Sequence, residues 1–265
     1  MTAGRGLALI AMLWIVAALA GVVGLAVGTV RLGQQTNMNR LALTRGRWAA
    51  EACLAIAQAR WAQHGLPDTD TLDLGRQTRC AWQVSDPAAG LNVNVTDPEI
   101  LARALGADDA ARRAVDSLVQ LRAVAPITDL AQLAVVPGID SAALAILTVD
   151  GPGSVNANAA PPRVLAAMPG LMPETISRLA DRRRLGRPIT TLDGLAGDVS
   201  PVARAALLAH YADLARTLVF TPPVLLVEAR GWVDGVGGPE RLHATNEALA
   251  VPLPGRLAIV RRRMW

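Results

Sequence analysis

The chain has few side chains that could do catalytic chemistry, and they are far apart in the sequence. Its three histidines are His64, His210 and His243. None belongs to a His-x-x-x-His pair, and the sequence has neither a Gly-x-Ser-x-Gly nucleophile turn nor a Gly-x-x-x-x-Gly-Lys phosphate loop. Each histidine is therefore interpreted as a surface or edge residue. The sequence predicts no catalytic residue, and we expect a protein that is not an enzyme.

Two Pro-Gly turns are candidates for binding nucleic-acid phosphates. They are Pro137-Gly138 and Pro169-Gly170, and helix-hairpin-helix modules present the backbone amides of a Gly-x-Gly turn to a phosphate. Here Asp140 and Met172 stand where the second glycine would be, so a phosphate would meet a negative charge or a long side chain. The run Arg182 to Arg184 could contact phosphates, although a solvated helix face explains it equally well. A membrane-anchored DNA receptor is the alternative function, and nucleic acid is not the expected partner.

A long apolar segment must position the rest of the chain. Leu7 to Val30 is a run of 24 residues without a charged side chain. As a helix it would reach about 36 Å, which is enough to cross a hydrocarbon core of about 30 Å. The apolar region of a secretory signal peptide is usually much shorter. The segment is therefore predicted to span a membrane.

The helix is predicted to continue beyond the membrane to about residue 63. In Arg31 to Gln63 the apolar residues recur at mixed three- and four-residue spacings, which is typical of a helix with one packed face. The segment His64-Gly65-Leu66-Pro67 would end it. The remaining 200 residues or so are enough for a globular body, consistent with a composition that is 52% hydrophobic and 18% charged with a net charge of +4. All the basic residues except histidine are arginine.

An internal repeat is the strongest architectural signal. Asn92-Val93-Asn94 and Asn156-Ala157-Asn158 are each followed by a proline six residues and a leucine nine residues after their first asparagine. A second pair of blocks then matches, namely Pro126 to Leu130 and Pro188 to Leu192. These spacings predict two related helical units of about 62 to 64 residues within residues 92–215.

Proline and polar residues at fixed positions predict where the short helices of each unit begin. Proline is favoured in the first helical turn, and threonine, serine or aspartate at the position before it. We expect four capping residues, which are Thr128, Thr190, Asp140 and Ser200. Three segments near the C-terminus read as strands around the turn Asp234 to Gly238: Val224 to Arg230, Leu242 to Ala250 and Leu257 to Arg263.

The residues before the apolar run resemble a type IV prepilin leader. A short polar stub ends at Gly6 and is followed at once by Leu7-Ala8-Leu9-Ile10. The resemblance implies cleavage by prepilin peptidase between Gly6 and Leu7, methylation of the new N-terminus, a cytoplasmic N-terminus and a periplasmic body. Arginines stand on both flanks of the apolar run and give no independent support for this orientation. Taken alone, the positive-inside rule would favour the opposite one.

One subfamily fits the rest of the chain. The usual pilin has glutamate at the fifth mature position, where this chain has Ala11, and the minor pseudopilin K of type II secretion systems characteristically lacks that glutamate. The segments Asn156 to Ala159, Pro169-Gly170-Leu171 and Thr190 to Leu195 resemble the helical domain inserted in that family. The chain is thus identified as similar to minor pseudopilin K over nearly its full length.

The resemblance implies an α+β fold, in which a long pilin-like helix packs on an antiparallel sheet that carries an inserted all-α domain. The expected divisions are a leader (1–6), a transmembrane helix (7–30), its periplasmic extension (31–65), the first sheet region (66–91), the helical insert (92–215) and the closing strands (216–265).

The resemblance also implies assembly at the tip of a pseudopilus that exports folded proteins. A competence or type IV pilus component, which would have much the same leader, is a further alternative. The expected partners are minor pseudopilins I and J, prepilin peptidase, the bacterial inner membrane and, as a further candidate, secreted cargo. The helix residues expected to pack with other subunits, or only with lipid, are Leu9, Ile10, Ala11, Leu13, Val16, Leu19 and Val23.

The resemblance also bears on a disulfide and on calcium binding. In an oxidising periplasm Cys53 and Cys80 would form a disulfide between helix and sheet, the alternative being two reduced, buried thiols. Calcium is known in the family, yet the candidate acids lack the dense oxygen-ligand spacing of calcium loops. Those acids are Asp86, Asp97, Asp234 and Glu240. We expect no cofactor and no metal site.

Overall fold

One helix dominates the architecture. The structure is a computed structural model that describes the backbone of residues 3–64, 68–235 and 243–265 and the side chains of 12–63, 68–235 and 243–265. Helix α1 is Ala3–His64 and contains 62 residues. Between residues 12 and 41 its described side chains are almost all exposed, and burial begins at Ala42. Among the described helices, α1 is the one long and apolar enough to cross a membrane.

The remaining elements alternate between a sheet and a helical insert. In chain order the strands are β1 Thr69–Asp73, β2 Thr78–Ser85, β3 Leu91–Asn92, β4 Leu147–Thr148, β5 Val155–Asn156, β6 Leu218–Val219, β7 Leu225–Val233, β8 Ala244–Leu253 and β9 Arg256–Met264. The further helices are α2 Pro98–Leu105, α3 Asp109–Val124, α4 Ser141–Leu144, α5 Pro162–Ala167, α6 Pro173–Arg184, α7 Leu192–Gly197, α8 Pro201–Ala209 and α9 Tyr211–Thr217. Two 3-10 helices are Pro87–Ala89 and Leu130–Val135.

A five-stranded antiparallel sheet packs against the second half of α1. Its order is β1-β2-β7-β8-β9, so β2 and β7 are neighbours although the insert separates them in sequence. Alternate residues of β7, such as Val227 and Ala229, face the buried residues Cys53, Leu54 and Ala57 of α1. Such alternation is expected of a sheet with one packed face. The predicted α+β fold is confirmed.

The helix and the sheet touch backbone to backbone at two glycines. A methyl group added to Gly231 of β7 would stand 2.1 Å from the carbonyl oxygen of Gly46 and 2.5 Å from the amide nitrogen of Ala50, both in α1. A methyl group on Gly46 would stand 2.7 Å from the Gly231 carbonyl oxygen. Side chains are therefore excluded at both positions, and the pair fixes how closely α1 approaches the sheet.

The insert forms a second hydrophobic core and consists of two closed units. The first begins with β3 and ends with β4, and these two short strands pair in parallel. The second begins with β5 and ends with β6, which pair in the same way. The core runs from Leu91 to Leu218. The sequence predicted that the insert ends at residue 215, which lies within α9. The core of the insert continues to Leu218.

The repeated asparagines Asn94 and Asn158 make equivalent hydrogen bonds in the two units. The Asn94 amide donates to the Ile127 carbonyl (2.9 Å) and accepts from the Ile127 N–H (2.8 Å). The Asn158 amide makes the same pair of bonds with Ile189 (2.7 and 3.1 Å) and also donates to the Phe220 carbonyl (2.8 Å). The two sequence blocks of each repeat are thus joined by one side-chain amide.

Two of the four predicted helix caps are displaced by one residue. Asp140 and Ser200 cap α4 and α8 as predicted, accepting from the amides of Ala143 and Ala203. The capping side chains of the preceding helices are Asp129 and Thr191 rather than Thr128 and Thr190. Each cap must sit immediately before its helix, and those helices begin one residue later than the sequence suggested.

Replacing Asn158 by alanine is expected to lower the free energy of unfolding by about 2 to 3 kcal/mol, because three backbone groups lose their partner. Asn94→Ala is the matched comparison and should cost less, since it removes two such bonds. Urea unfolding of the full chain in detergent, followed by circular dichroism, measures both. Equal and negligible losses would contradict this role for the repeated amides.

Candidate assembly surfaces

The predicted processing and packing residues lie along α1. The backbone around Gly6 and Leu7 is helical, but Leu7, Leu9, Ile10 and Ala11 belong to the part of α1 whose side chains are not described. The other four predicted packing residues are exposed by 59 to 70%: Leu13, Val16, Leu19 and Val23. Their three- and four-residue spacing places them on one side of the helix. This surface can pack against lipid or against another apolar helix.

The two cysteines meet where α1 packs against β2. Cys53 in α1 and Cys80 in β2 have Cα atoms 6.0 Å apart, and their sulfur atoms are bonded. Both residues are fully buried. The bond closes a sequence separation of 27 residues and connects the long helix covalently to the sheet. It thus reinforces the contact on which the position of the globular body depends.

Polar contacts join the insert to the sheet. Arg261 of β9 forms an ion pair with Asp150, at the end of the first unit. Arg263 donates to the Thr128 carbonyl at 3.1 Å and lies 3.8 Å from Glu247 of β8. Burial and the nearby Asp150 carboxylate raise the pKa of Glu247, although the two arginines oppose the shift. We refer to Asp150, Glu247, Arg261 and Arg263 as the junction cluster.

An open cleft of about 820 Å³ lies beside the junction cluster, and Thr128, Asp129, Leu226 and Trp265 are among the residues that line it. Asp86, where the chain leaves the sheet, makes a second junction contact by accepting from the Asn156 amide at 2.6 Å. Burial raises the pKa of Asp86 despite that hydrogen bond. Both sets of contacts orient the insert on the sheet.

The acids considered and set aside as calcium ligands have separate structural roles where the structure describes them. Asp86 holds the junction, Asp97 caps α2, and Asp234 pairs with Arg79 at 2.9 Å. Glu240 lies outside the described residues. Within the described ranges, no group of three or more His, Cys, Asp or Glu side chains is arranged to hold a metal ion.

The residues considered for nucleic-acid binding are occupied within the insert. Arg182 pairs with Asp198 at 2.8 Å, and this hydrogen bond lowers the pKa of the Asp198 carboxyl. Arg183 donates to the Ala160 carbonyl at 2.8 Å, and Arg184 pairs with Asp181. These bonds give the arginine run a structural role.

The two turn glycines also face other parts of the insert. A methyl group on Gly170 would stand 2.9 Å from the His210 Cβ and 3.0 Å from the Ala206 carbonyl oxygen, so α8 and its end cover this turn. At the other turn, a methyl group on Gly138 would stand 3.3 Å from the Cβ of Ala114 in α3. Both turns therefore serve as close contacts between helices of the insert.

Sequence reasoning missed one groove on the outer side of α1. It lies between α1 and the turn that connects β1 to β2 and has a volume of about 360 Å³. Trp48 and Leu74 supply its apolar surface, and Arg45 and Arg76 stand beside them. The Trp48 side chain is 68% exposed. The apolar spacing of the sequence assigned Trp48 to the packed face of the helix, and the structure exposes it instead.

The chain is similar to known proteins in its fold and not in its sequence. No protein-family model and no curated protein matches the chain. Among solved structures, a chain in "The Crystal Structure of the GspK-GspI-GspJ complex from enterotoxigenic Escherichia coli Type 2 Secretion System" aligns with a TM-score of 0.56 and 13% sequence identity. The alignment covers 89% of this chain and 99% of that chain. The protein therefore shares the fold of that chain over most of its length.

Proposed function

We propose that this protein is a minor pseudopilin at the tip of a type II secretion pseudopilus. The observation that carries the proposal is the fold shared with a chain of the GspK-GspI-GspJ complex over 89% of the present chain. An exposed apolar helix long enough to span a membrane precedes the globular body. The protein then acts by assembly rather than by catalysis, and supports export of folded proteins across the outer membrane.

The N-terminal sequence favours a terminal position in the filament. After cleavage behind Gly6, the fifth residue would be Ala11, so the chain would lack the carboxylate that pairs with the α-amine of a neighbouring subunit in ordinary pilins. A subunit with no neighbour above it does not need that carboxylate. The large insert, with its own core from Leu91 to Leu218, would also hinder repeated stacking in a thin filament.

The proposed partners follow from the same comparison. The Escherichia coli complex contains GspI and GspJ, so the corresponding minor pseudopilins of the host are the expected neighbours of this chain. The proposal further includes processing by prepilin peptidase and an inner-membrane location with a periplasmic body. The Cys53–Cys80 bond supports that location, because disulfides persist in oxidising compartments.

The mass of the N-terminal peptide, measured on protein purified from membranes of the native host, tests the proposal. We expect a chain that starts at an N-methylated Leu7. Gly6→Phe should retain the leader completely, because a bulky side chain would occupy the cleavage position. Gly21→Phe is the control, since Gly21 is a glycine of the same helix with open space around it, and it should be processed normally. A wild-type chain starting at Met1 or Thr2, or normal processing of Gly6→Phe, would reject the pseudopilin assignment.

A further inference from the structure

The two units of the insert differ at one surface, although both are built on the same repeat. A contact that recurs in both units shows which positions of α3 and α6 are equivalent. Arg122 of α3 donates to the Thr96 carbonyl at 2.9 Å. Arg183 of α6 donates to the Ala160 carbonyl at 2.8 Å, and each accepting residue lies four positions after the first asparagine of its repeat. Positions along α3 and α6 can therefore be matched from this pair of arginines.

The helices that follow are matched by their caps. Asp129 caps the 3-10 helix Leu130–Val135, and Thr191 caps α7. Val136 and Asp198 each lie seven positions after the capping residue and immediately after the helix. These two residues are therefore equivalent in the first and second units.

In the second unit, ion pairs close the surface at these positions. Arg182, one position before the matched arginine, lies 2.8 Å from the Asp198 carboxylate. Arg178, five positions before that arginine, lies 3.7 Å from the same carboxylate and donates to the Asp198 carbonyl at 3.1 Å. Arginine side chains in such positions also cover apolar surface with their aliphatic stems. The second unit thus bridges α6 and the end of α7 with its own side chains.

The first unit leaves the equivalent place open. The residues that match Arg178, Arg182 and Asp198 are Ser117, Leu121 and Val136. All three line a groove of about 350 Å³ that is formed by α3 and the 3-10 helix, and none of them can form an ion pair. Two further lining residues are almost fully exposed, namely Val124 by 88% and Val135 by 85%. Clustered, exposed aliphatic side chains around an unfilled groove indicate an interaction site.

The lining of the groove favours an uncharged occupant. None of the described residues that line it is charged, so a charged group of a partner would lose its hydration there without gaining an ion pair. A site for a bilayer surface would combine its apolar residues with lysine or arginine. The chemistry of this groove is therefore complementary to an apolar protein surface.

The spacing of the lining residues favours a helix as that surface. Ser117, Leu121 and Val124 follow one another at intervals of four and three positions, so they form one ridge along α3. Val135 and Val136 line the same groove from the 3-10 helix and its end. A groove formed by two helices accepts the side-chain ridge of a third helix, whose apolar residues recur three or four positions apart.

We infer that this groove of the insert binds the apolar face of an amphipathic helix that a partner protein presents outside the membrane. The partner's side chains fill the place that the second unit fills with its own ion pairs. The inference goes beyond the proposed function, because it concerns the insert and not the membrane helix. It also gives the two units different tasks, since the second closes its surface and the first offers it for binding.

Photo-crosslinking of the full chain in its native host tests the inference. Benzoylphenylalanine at Val124 is expected to form an adduct with a partner protein, and mass spectrometry should locate the bond on the apolar face of an amphipathic helix. Leu185 is the matched control, because it is exposed and lies two positions after the matched arginine, as Val124 does. The probe at Leu185 should not give this adduct.

Several outcomes of this experiment would overturn the inference. They are the absence of an adduct from Val124, an equal yield from Leu185, and a bond to lipid or to a second copy of this chain. A bond to the membrane-anchored helix of another subunit, or to a segment that is not helical, would do the same. None of these outcomes bears on processing behind Gly6, so the proposed function is tested separately.

A triple exchange shows whether the groove itself makes the contact. It carries the ion pairs of the second unit into the first: Ser117→Arg, Leu121→Arg and Val136→Asp. With the groove filled in this way, the adduct yield from Val124 should fall about tenfold, as expected when a central interface contact is lost. Gln120→Arg is the control for added charge, because Gln120 is an exposed residue of α3 that does not line the groove, and it should leave the yield unchanged.

Circular dichroism and urea unfolding check that each variant is folded. If the triple exchange does not fold, Val135→Glu takes its place, because so exposed a side chain can change without disturbing the core. The new carboxylate would stand beside an uncharged contact and should also lower the yield. A yield that is unchanged in a folded triple exchange, or in Val135→Glu, would show that the groove is not the contact surface.

Discussion

Replacing Gly231 by alanine should lower the free energy of unfolding by at least about 3 kcal/mol, the largest effect expected of a single methyl group in this protein. The new Cβ would lie 2.1 Å from the Gly46 carbonyl oxygen. Its two nearest neighbours are backbone atoms of α1, which cannot rotate away as the end of a side chain could. The contact can be relieved only if α1 moves away from the sheet. Urea unfolding of the full chain in detergent, followed by tryptophan fluorescence, measures the loss.

Two further variants make this prediction specific. Gly197→Ala adds a methyl group where nothing lies within 4 Å and should be neutral or slightly stabilising. Gly46→Ala should be costly for the same reason as Gly231→Ala, yet the double variant should cost clearly less than the sum, since both changes are relieved by one displacement of α1. Strict additivity, or a Gly231→Ala variant as stable as Gly197→Ala, would contradict a backbone contact at this position.

Removal of the disulfide is expected to have the second large effect on stability. Replacing Cys53 and Cys80 together by alanine should lower the free energy of unfolding by about 3 to 4 kcal/mol, as the chain-entropy model gives for a loop of 27 residues. Alanine is the appropriate replacement because both side chains are fully buried, where a serine hydroxyl would need a partner.

Reduction provides an independent check on the same bond. Dithiothreitol should destabilise the wild-type chain by a similar amount and have no effect on the double variant. A wild-type protein whose unfolding is insensitive to dithiothreitol would show that the two thiols are reduced in solution. The helix would then be held to the sheet by packing alone.

Much of the fold could be predicted because it depends on local or repeated features of the sequence. The apolar run from Leu7 and the stop near His64 predicted one helix to about residue 63, and α1 is Ala3–His64. The three predicted C-terminal segments correspond to β7, β8 and β9, because alternation of apolar residues is itself a property of half-buried strands. The double repeat was visible because its asparagines and prolines keep fixed offsets.

The features that could not be predicted depend on which residues meet across the fold. The Gly46–Gly231 contact requires knowing which strand lies under α1 and at what height. A glycine inside a helical pattern signals a close approach but not its partner. The junction cluster likewise joins Asp150 to residues more than 90 positions later. The caps at Asp129 and Thr191 were misplaced because each is preceded by a threonine that can also serve as a cap, and only the actual helix start decides.

The arginine run from 182 to 184 shows how charge alone misleads. In sequence it suggests a basic patch, whereas in the structure each side chain has a partner within the insert. The same is true of Arg163, which donates to the Ala104 and Leu105 carbonyls of the first unit. Guanidinium groups suit this task because their several donors lie in a fixed plane. Arg45 and Arg76 differ because they have no such partner among the described residues.

The way in which the insert closes on itself has a consequence for how such a protein can evolve. The chain leaves the sheet at Ser85 and returns at Leu225, next to Leu226, which is paired with Ser85 across β2 and β7. Each unit of the insert also begins and ends on paired strands. A gene duplication that adds a whole unit, or a deletion that removes one, would therefore leave the ends of the remaining chain close together. The size of the insert can change between lineages while the pilin-like body keeps its register.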